Sequence, residues 1–270
     1  MKTRLLSALI AISGLAFAGG AAADVVVGGI NFGTPGTTNL DTTTLGETLI
    51  TGNGQTLQGY GQINTINSNT LYCAVDANCR LFFTFTSYVS QNFSANASQF
   101  TGGIVHVYYD PNGLTHNLLS FSSLADIAYI NALTPFVELD GHGNLGGGAA
   151  ATSTLRSAGT LTGANITFTG SGLLDVNTAA FGIAAVRAYL NGNSQVDAVG
   201  GLADILITTS GSNSVLNPND TCTGAAGQFC IQGSADLRGR TVIPEPGSLA
   251  LAGLALGVLG MLRRRSTTPS

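Results

Sequence analysis

The sequence predicts an all-β body, an antiparallel β-sandwich with one short helix, on three observations. Apolar and polar residues alternate with period two in several short runs. Glycine, asparagine and threonine punctuate those runs, and a single segment has helical spacing. Valine, isoleucine, phenylalanine and tyrosine are kept within the patterned runs, so the chain has the apolar residues to offset ordering entropy and is not a disordered segment.

Taken in order, Val25–Ile30 and Gln58–Ile66 are the first strands expected. Leu81, Phe83 and Phe85 then alternate with Phe82, Thr84 and Thr86, giving a strand with one strongly apolar face and one mixed face. Val105, Val107 and Tyr109 alternate with Ile104, His106 and Tyr108. The turn residues Asp110-Pro111-Asn112-Gly113 come next, so a hairpin with Leu114–Leu119 as its second strand is expected. Ser123–Leu133 carries Leu124, Ile127, Ala128, Ile130 and Leu133 on one helical face, and Ser123 with Asp126 resembles a capping box. The glycine-rich stretch from Gly141 to Gly163 reads as a long loop or as the boundary between two β layers. Ile166–Thr169, Ile183–Leu190, Ile205–Ile207 and Ala235–Val242 complete the strands. Neither a fixed 20–50 residue period nor glycine-aspartate nonapeptides occur, which favours a sandwich over a solenoid.

The two ends carry a different message. Lys2 and Arg4 precede an apolar stretch from Leu5 to Ala18, and Ala21-Ala22-Ala23 has the small side chains that signal peptidase requires. A signal peptide over residues 1–23 is therefore expected, with Ala21 and Ala23 at the cleavage site and Asp24 as the first mature residue. At the other end Pro244-Glu245-Pro246 leads into an uncharged sixteen-residue run from Gly247 to Leu262, with Arg263-Arg264-Arg265 beyond it. As a helix that run spans ~24 Å, enough for a thin bilayer with snorkelling flanks. The three arginines hold the extreme C-terminus in the cytoplasm. Residues 24–243 are thus an extracytoplasmic β-rich domain between two export signals.

Pro244, Glu245, Pro246, the short Gly/Ala/Leu helix 247–262 and the cluster Arg263, Arg264 and Arg265 resemble the PEP-CTERM sorting signal, over residues 243–265 of this chain. That resemblance implies an exosortase substrate of a Gram-negative bacterium, held transiently in the inner membrane and then passed to the cell surface or matrix beside exopolysaccharide. Scattered small motifs are similar to flocculation-associated PEP-CTERM proteins: Gly59-Tyr60-Gly61, Leu71-Tyr72-Cys73 to Cys79, Leu81–Phe85, Gly102-Gly103 and Tyr108-Tyr109-Asp110. They imply a structural part in biofilm or floc formation. A carbohydrate-binding or carbohydrate-modifying β-sandwich delivered by the same route is the alternative.

Between the two end segments the body holds five arginines, no lysine and thirteen acidic residues, a formal charge of −8. Nucleic acid is excluded as a partner, because phosphate binding needs a basic surface that this body cannot assemble. An anionic polysaccharide is disfavoured unless divalent cations bridge the two. Cys73 with Cys79 and Cys222 with Cys230 form two close pairs, and in an exported protein two local disulfides are the default. A four-cysteine zinc site is the alternative, although its spacing fits structural zinc poorly.

No catalytic residue, metal ligand or cofactor is expected. Neither a Gly-x-Ser-x-Gly elbow nor a His-Glu-x-x-His helix occurs. Glu138 and Asp140 sit two apart and share one strand face, the arrangement a glycosidase pair would need, but nothing in the sequence supplies a raised acid pKa. Asp140-Gly141-His142-Gly143-Asn144 is the most chemically suggestive loop. His106 and His116 are expected as satisfied strand or turn residues. Asn191, Asn193 and Asp197, or Asp175 and Asn177, are the oxygen donors a calcium ion would use.

Overall fold

The computed structural model describes residues 24–241 apart from Ala180. Nine long strands build its wall: β1 Thr37–Thr48, β2 Thr56–Ile63, β3 Arg80–Gln91, β4 Ala97–Asp110, β5 Thr134–His142, β6 Ser153–Thr160, β7 Thr167–Val176, β8 Ile205–Ser212 and β9 Phe229–Arg240. Each is antiparallel to its neighbours. The last strand pairs with the first, from Thr37 opposite Arg240 to Thr48 opposite Phe229. The sheet therefore closes on itself.

Nine strands fill eight positions, because β5 and β6 share one. β5 lies between β4 and β7 near one end of the wall, with Ile104 opposite Asp140 and Asp175 opposite Asp140. β6 takes over the same seat further along, with Gln99 opposite Arg156 and Ser171 opposite Arg156. The intervening residues 143–152 leave the wall as a loop, closed by a hydrogen bond from the Asn144 N–H to the Ala151 carbonyl.

The result is an eight-stranded antiparallel β-barrel, which corrects the expected sandwich. The all-β class and its inside-outside alternation hold, since both architectures use a two-residue period. Closure depends on length and bulging. β1, β3 and β9 have 12 residues and β4 has 14, and register shifts at Leu57/Gly59, Phe100/Thr101 and Gly233/Ala235 bend them. Long bulged strands let one twisted sheet curl until its edges meet, leaving no free edge.

Inward residues form the main core, among them Leu40, Leu45, Leu81, Phe83, Val105, Val107, Leu139 and Leu174. Gly59 and Gly61 of β2 face inward where a Cβ would lie 2.3 Å and 2.6 Å from the rings of Phe85 and Phe83. Only glycine lets those rings cross the strand. Tyr60 between them points outward into a second core with Phe82, Tyr108, Leu118, Ile130 and Leu216, covered by helix α1, Ser123–Asn131. The mixed outer face of β3 is explained by that cover.

One end of the barrel is plugged. A two-residue hairpin, Val26–Val27 with Ile30–Asn31, turns through Gly28 and Gly29, both at positive φ. It seats Ile30 and Phe32, fully buried, against helix α2, Ala184–Leu190, with the Phe32 and Tyr189 rings 5.0 Å apart. Tyr72 fills the same end, donating to the Ile63 carbonyl and accepting from the Leu81 N–H. The Cys73–Cys79 disulfide holds the loop that carries it, and Asn31 and Ala74 tie that loop to the hairpin. The second disulfide, Cys222–Cys230, lies at the opposite end beside Leu49 and Ile166. Both cysteine pairs join as expected.

Several local expectations are corrected. Ile183–Leu190 is a helix: Val186, Tyr189 and Leu190 are buried at helical spacing and alanine is a strong helix former. Leu114–Leu119 is not a strand; Asp110 caps the turn by accepting from the Asn112 N–H, and a 3₁₀ turn over Gly113–Thr115 comes after it. α1 is present, yet its N-cap is Ser122, which accepts from the Ala125 N–H, and not Ser123. Ser123 and Asp126 point inward, Ser123 to the Tyr60 hydroxyl at 2.8 Å and Asp126 to Asn217 at 3.1 Å. Their hydrogen-bonding capacity serves the second core instead of a capping box.

Candidate functional site

Alternation along β5 turns Glu138, Asp140 and His142 to the outside, while Val137 and Leu139 face the core. His106 on β4 and Asp175 on β7 flank them, because His106 is in register with Glu138 and Asp175 with Asp140. Asn177 and Asp197 come from the loops after β7 and α2. The structure thus gathers most of the chemically suggestive residues of the sequence onto one stretch of outer wall.

Their contacts are mutual. The His106 Nε2 meets the Glu138 Oε2 at 2.6 Å, and its ring stacks on Phe181 with centroids 4.4 Å apart. The Asn177 amide donates to Asp140 at 2.9 Å and also to Glu138, bridging the two carboxylates. His142 touches Asp175 at 2.8 Å through Nδ1 and Asp197 at 3.2 Å through Nε2. Asp197 in turn accepts from the backbone N–H groups of Val199 and Gly201 and from the Asn144 amide.

The electrostatics reflect those contacts. Burial lowers the His142 pKa, but its hydrogen bonds to the two aspartates outweigh this and hold the imidazolium above its usual range. Desolvation raises Asp197, and its bonds to His142 and the two backbone donors reverse the balance, keeping it below the ordinary carboxylate value. Desolvation and the neighbouring Glu138 charge raise Asp140, with the Asn177 hydrogen bond opposing them.

For a glycosidic pair the arrangement is poor. Asn177 occupies an oxygen of each carboxylate that would need to face substrate, and both sit on the convex face of a barrel. As calcium donors, Asp175 and Asn177 turn to different partners, and Asn191 and Asn193 bond each other while Asp197 bonds His142 and Asn144. His116 lies elsewhere, stacked on Tyr129 at 3.7 Å beside Asp126.

The wall also fixes the first and last described residues, Asp24 and Thr241. Asp24 is held by the Asn31 amide, and Asn67 ties Phe32 and Thr37 together at the plugged end. Thr241 exchanges backbone and hydroxyl hydrogen bonds with Gly36 at that same end. The last described residue before the C-terminal segment is therefore held at the plugged end.

That segment decides how the protein is handled. Residues 242–266 match the family model described as the PEP-CTERM protein-sorting motif. The chain carries a PEP-CTERM motif. It is accordingly an exported protein, sorted by an exosortase and associated with the cell surface. No curated protein and no solved structure matches the chain. Pro244, Glu245, Pro246, Arg263, Arg264 and Arg265 fall within the matched segment and, like the apolar run 247–262 and the cleavage residues Ala21 and Ala23, lie outside the described residues. Among the described residues no helix is long and apolar enough to cross a membrane.

Proposed function

We propose that this exosortase-sorted protein serves outside the cell as a structural, adhesive component of a biofilm or floc matrix, working beside exopolysaccharide and without catalytic chemistry. The sorting motif is the observation that carries the reading. In it, signal peptidase removes residues 1–23 and the tail holds the barrel at the inner membrane of a Gram-negative cell until exosortase acts.

The body supports this role in two ways. Its outward carboxylates are engaged by internal partners, such as Asn177, His142 and the backbone of Val199 and Gly201, which suits a durable wall better than a reaction centre. Among the described residues Phe121 is the only aromatic more than half exposed, at 54%, so their surface offers few flat faces on which sugar rings stack. Contact with polymer then runs through neutral hydroxyl and amide groups, and through bridging divalent cations where the polymer is acidic.

Deleting the gene in its host tests the reading. Cell aggregation is expected to fall, to return with the full-length gene, and to stay low with a gene lacking residues 244–270. Unchanged aggregation after deletion would overturn the matrix role while leaving the sorting motif intact.

A further inference from the structure

The barrel interior is not completely filled. A cavity of about 90 Å³ lies inside it, lined by Leu40, Leu57, Phe83, Phe85, Phe100 and Ile207 among others. That volume lies between the ~30 Å³ share of one water and the ~150 Å³ of a cavity that takes benzene. It suits an apolar body of about four heavy atoms.

One charged side chain reaches into it. Glu47 comes after Leu45 on the inward face of β1 and before Leu49, just beyond the strand's end, all three lining the cavity, and Glu47 is only 4% exposed. No described residue hydrogen-bonds its carboxyl group, and burial alone pushes its pKa up to about 7. The buried Tyr88 hydroxyl, on the same lining, also lacks a partner. Arg156 is the one basic residue along the lining, but its guanidinium is committed to Ser171 and the Gly146 carbonyl. Unpartnered polar groups in an apolar interior are costly, and native structures seldom keep them without a use.

The end opposite the plug is the less tightly closed one and forms the mouth. Ile50, Phe93 and Phe168 line the cavity there and are only partly buried. We propose that the barrel interior is a binding site for a small hydrophobic amine, its ammonium on the Glu47 carboxylate and its apolar body among Phe83, Phe85 and Phe100. An amine satisfies what the site lacks, since it brings both a donor and the counter-charge to a carboxylate that has neither. Phenylalanine faces complement the ammonium, and the body charge of −8 favours a cationic ligand over an anionic one.

Calorimetric titration of the full chain in zwitterionic lipid nanodiscs, with empty discs as blank, tests this using isobutylamine, isobutanol and isobutyrate at pH 8. Isobutylamine is expected to bind one-to-one, about tenfold or more tighter than isobutanol, with isobutyrate excluded. Glu47→Gln should weaken the amine about tenfold while leaving isobutanol within about threefold, so the alcohol reports that the cavity is still formed. Ala235→Leu, which fills the cavity from β9, should abolish both. Equal amine affinity in wild type and Glu47→Gln, or no saturable amine binding to wild type, overturns the proposal.

Discussion

The two ends of the barrel are built from the same strands and finished in opposite ways. At one end Ile30, Phe32, Tyr72 and Val186 are fully buried, a disulfide pins the covering loop, and the chain enters and leaves. At the other, Phe93 and Phe168 remain partly exposed around a cavity that holds an unpartnered carboxylate. The plugged end closes the barrel and holds both Asp24 and Thr241. The mouth, at the far end of the strands, keeps groups that a purely structural core would not retain.

That contrast is most sharply tested by truncating an aromatic at each end. Phe32→Ala should lose about 3–5 kcal/mol, because a fully buried ring leaves a cavity that its neighbours cannot fill. Phe168→Ala at the mouth should lose less than half as much, since its partly exposed ring is bordered by open space. Urea unfolding of both variants measures the difference. Equal losses would mean that the mouth is packed as tightly as the plug.

The disulfides give the next largest effect. The sequence separations are 6 and 8, so chain entropy alone predicts a similar stabilisation from each, about 2–3 kcal/mol. Replacing Cys73 and Cys79 by serine should nevertheless cost more than replacing Cys222 and Cys230, because Cys79 is fully buried and the loop carries Tyr72 into the plug. Thermal melts of the two double variants rank them. A larger loss at Cys222–Cys230 would place the structural burden at the mouth.

A third difference is in pH dependence, and it belongs to the mouth. Glu47 has a folded pKa of about 7 against an ordinary value of 4.5, so the folded state holds its proton more tightly than the unfolded chain does. The contribution of Glu47 is therefore neutral below pH 4.5 and becomes progressively destabilising as pH rises toward 7. Above that it reaches about 3 kcal/mol at most. Glu47→Gln should match wild type near pH 4 and exceed its stability by about 1–3 kcal/mol at pH 8, measured by urea unfolding at each pH. A constant difference across that range would show that the carboxyl group is not the cause.

Period and spacing report on residues that are near in sequence, and this divides the legible parts of the molecule from the rest. The alternation in β3 and β4 announces strands, and the close cysteine pairs announce two local bridges. Closure depends on β1 meeting β9 across nearly the whole chain, which no local pattern records. β1 itself leaves little mark, since Thr37–Thr48 alternates threonine, leucine and aspartate too weakly to stand out. The short α2 passes for a strand because Ile183, Val186, Tyr189 and Leu190 satisfy β propensity as well as helical spacing. On the outer wall, spacing alone places Glu138 and Asp140 on one face. Their neutralisation by Asn177, thirty-seven residues from Asp140, is invisible at that range. Glu47 is equally silent, because an acid beside Thr48 reads as solvated until closure turns it inward.

The wall between the two ends supplies the smallest effect and a useful reference. Hydrogen bonds to Asp175 and Asp197 favour the imidazolium of His142 over the opposing effect of burial, so its pKa is raised and its contribution has the opposite sense to that of Glu47. The stabilisation is fully present below pH 6.5, the ordinary histidine value, and disappears as pH rises through the raised folded value. Solvent and salt reach this outer-wall site, so His142→Gln should lose only about 0.5 kcal/mol at pH 6 in low salt and almost nothing at pH 9 or in 1 M salt. Combined with Glu47→Gln, the two changes should add, because one side chain faces the cavity and the other faces solvent across the wall. A pH profile of the double variant that departs from the sum of the single variants would show that the interior carboxylate and the outer histidine sense each other through the sheet.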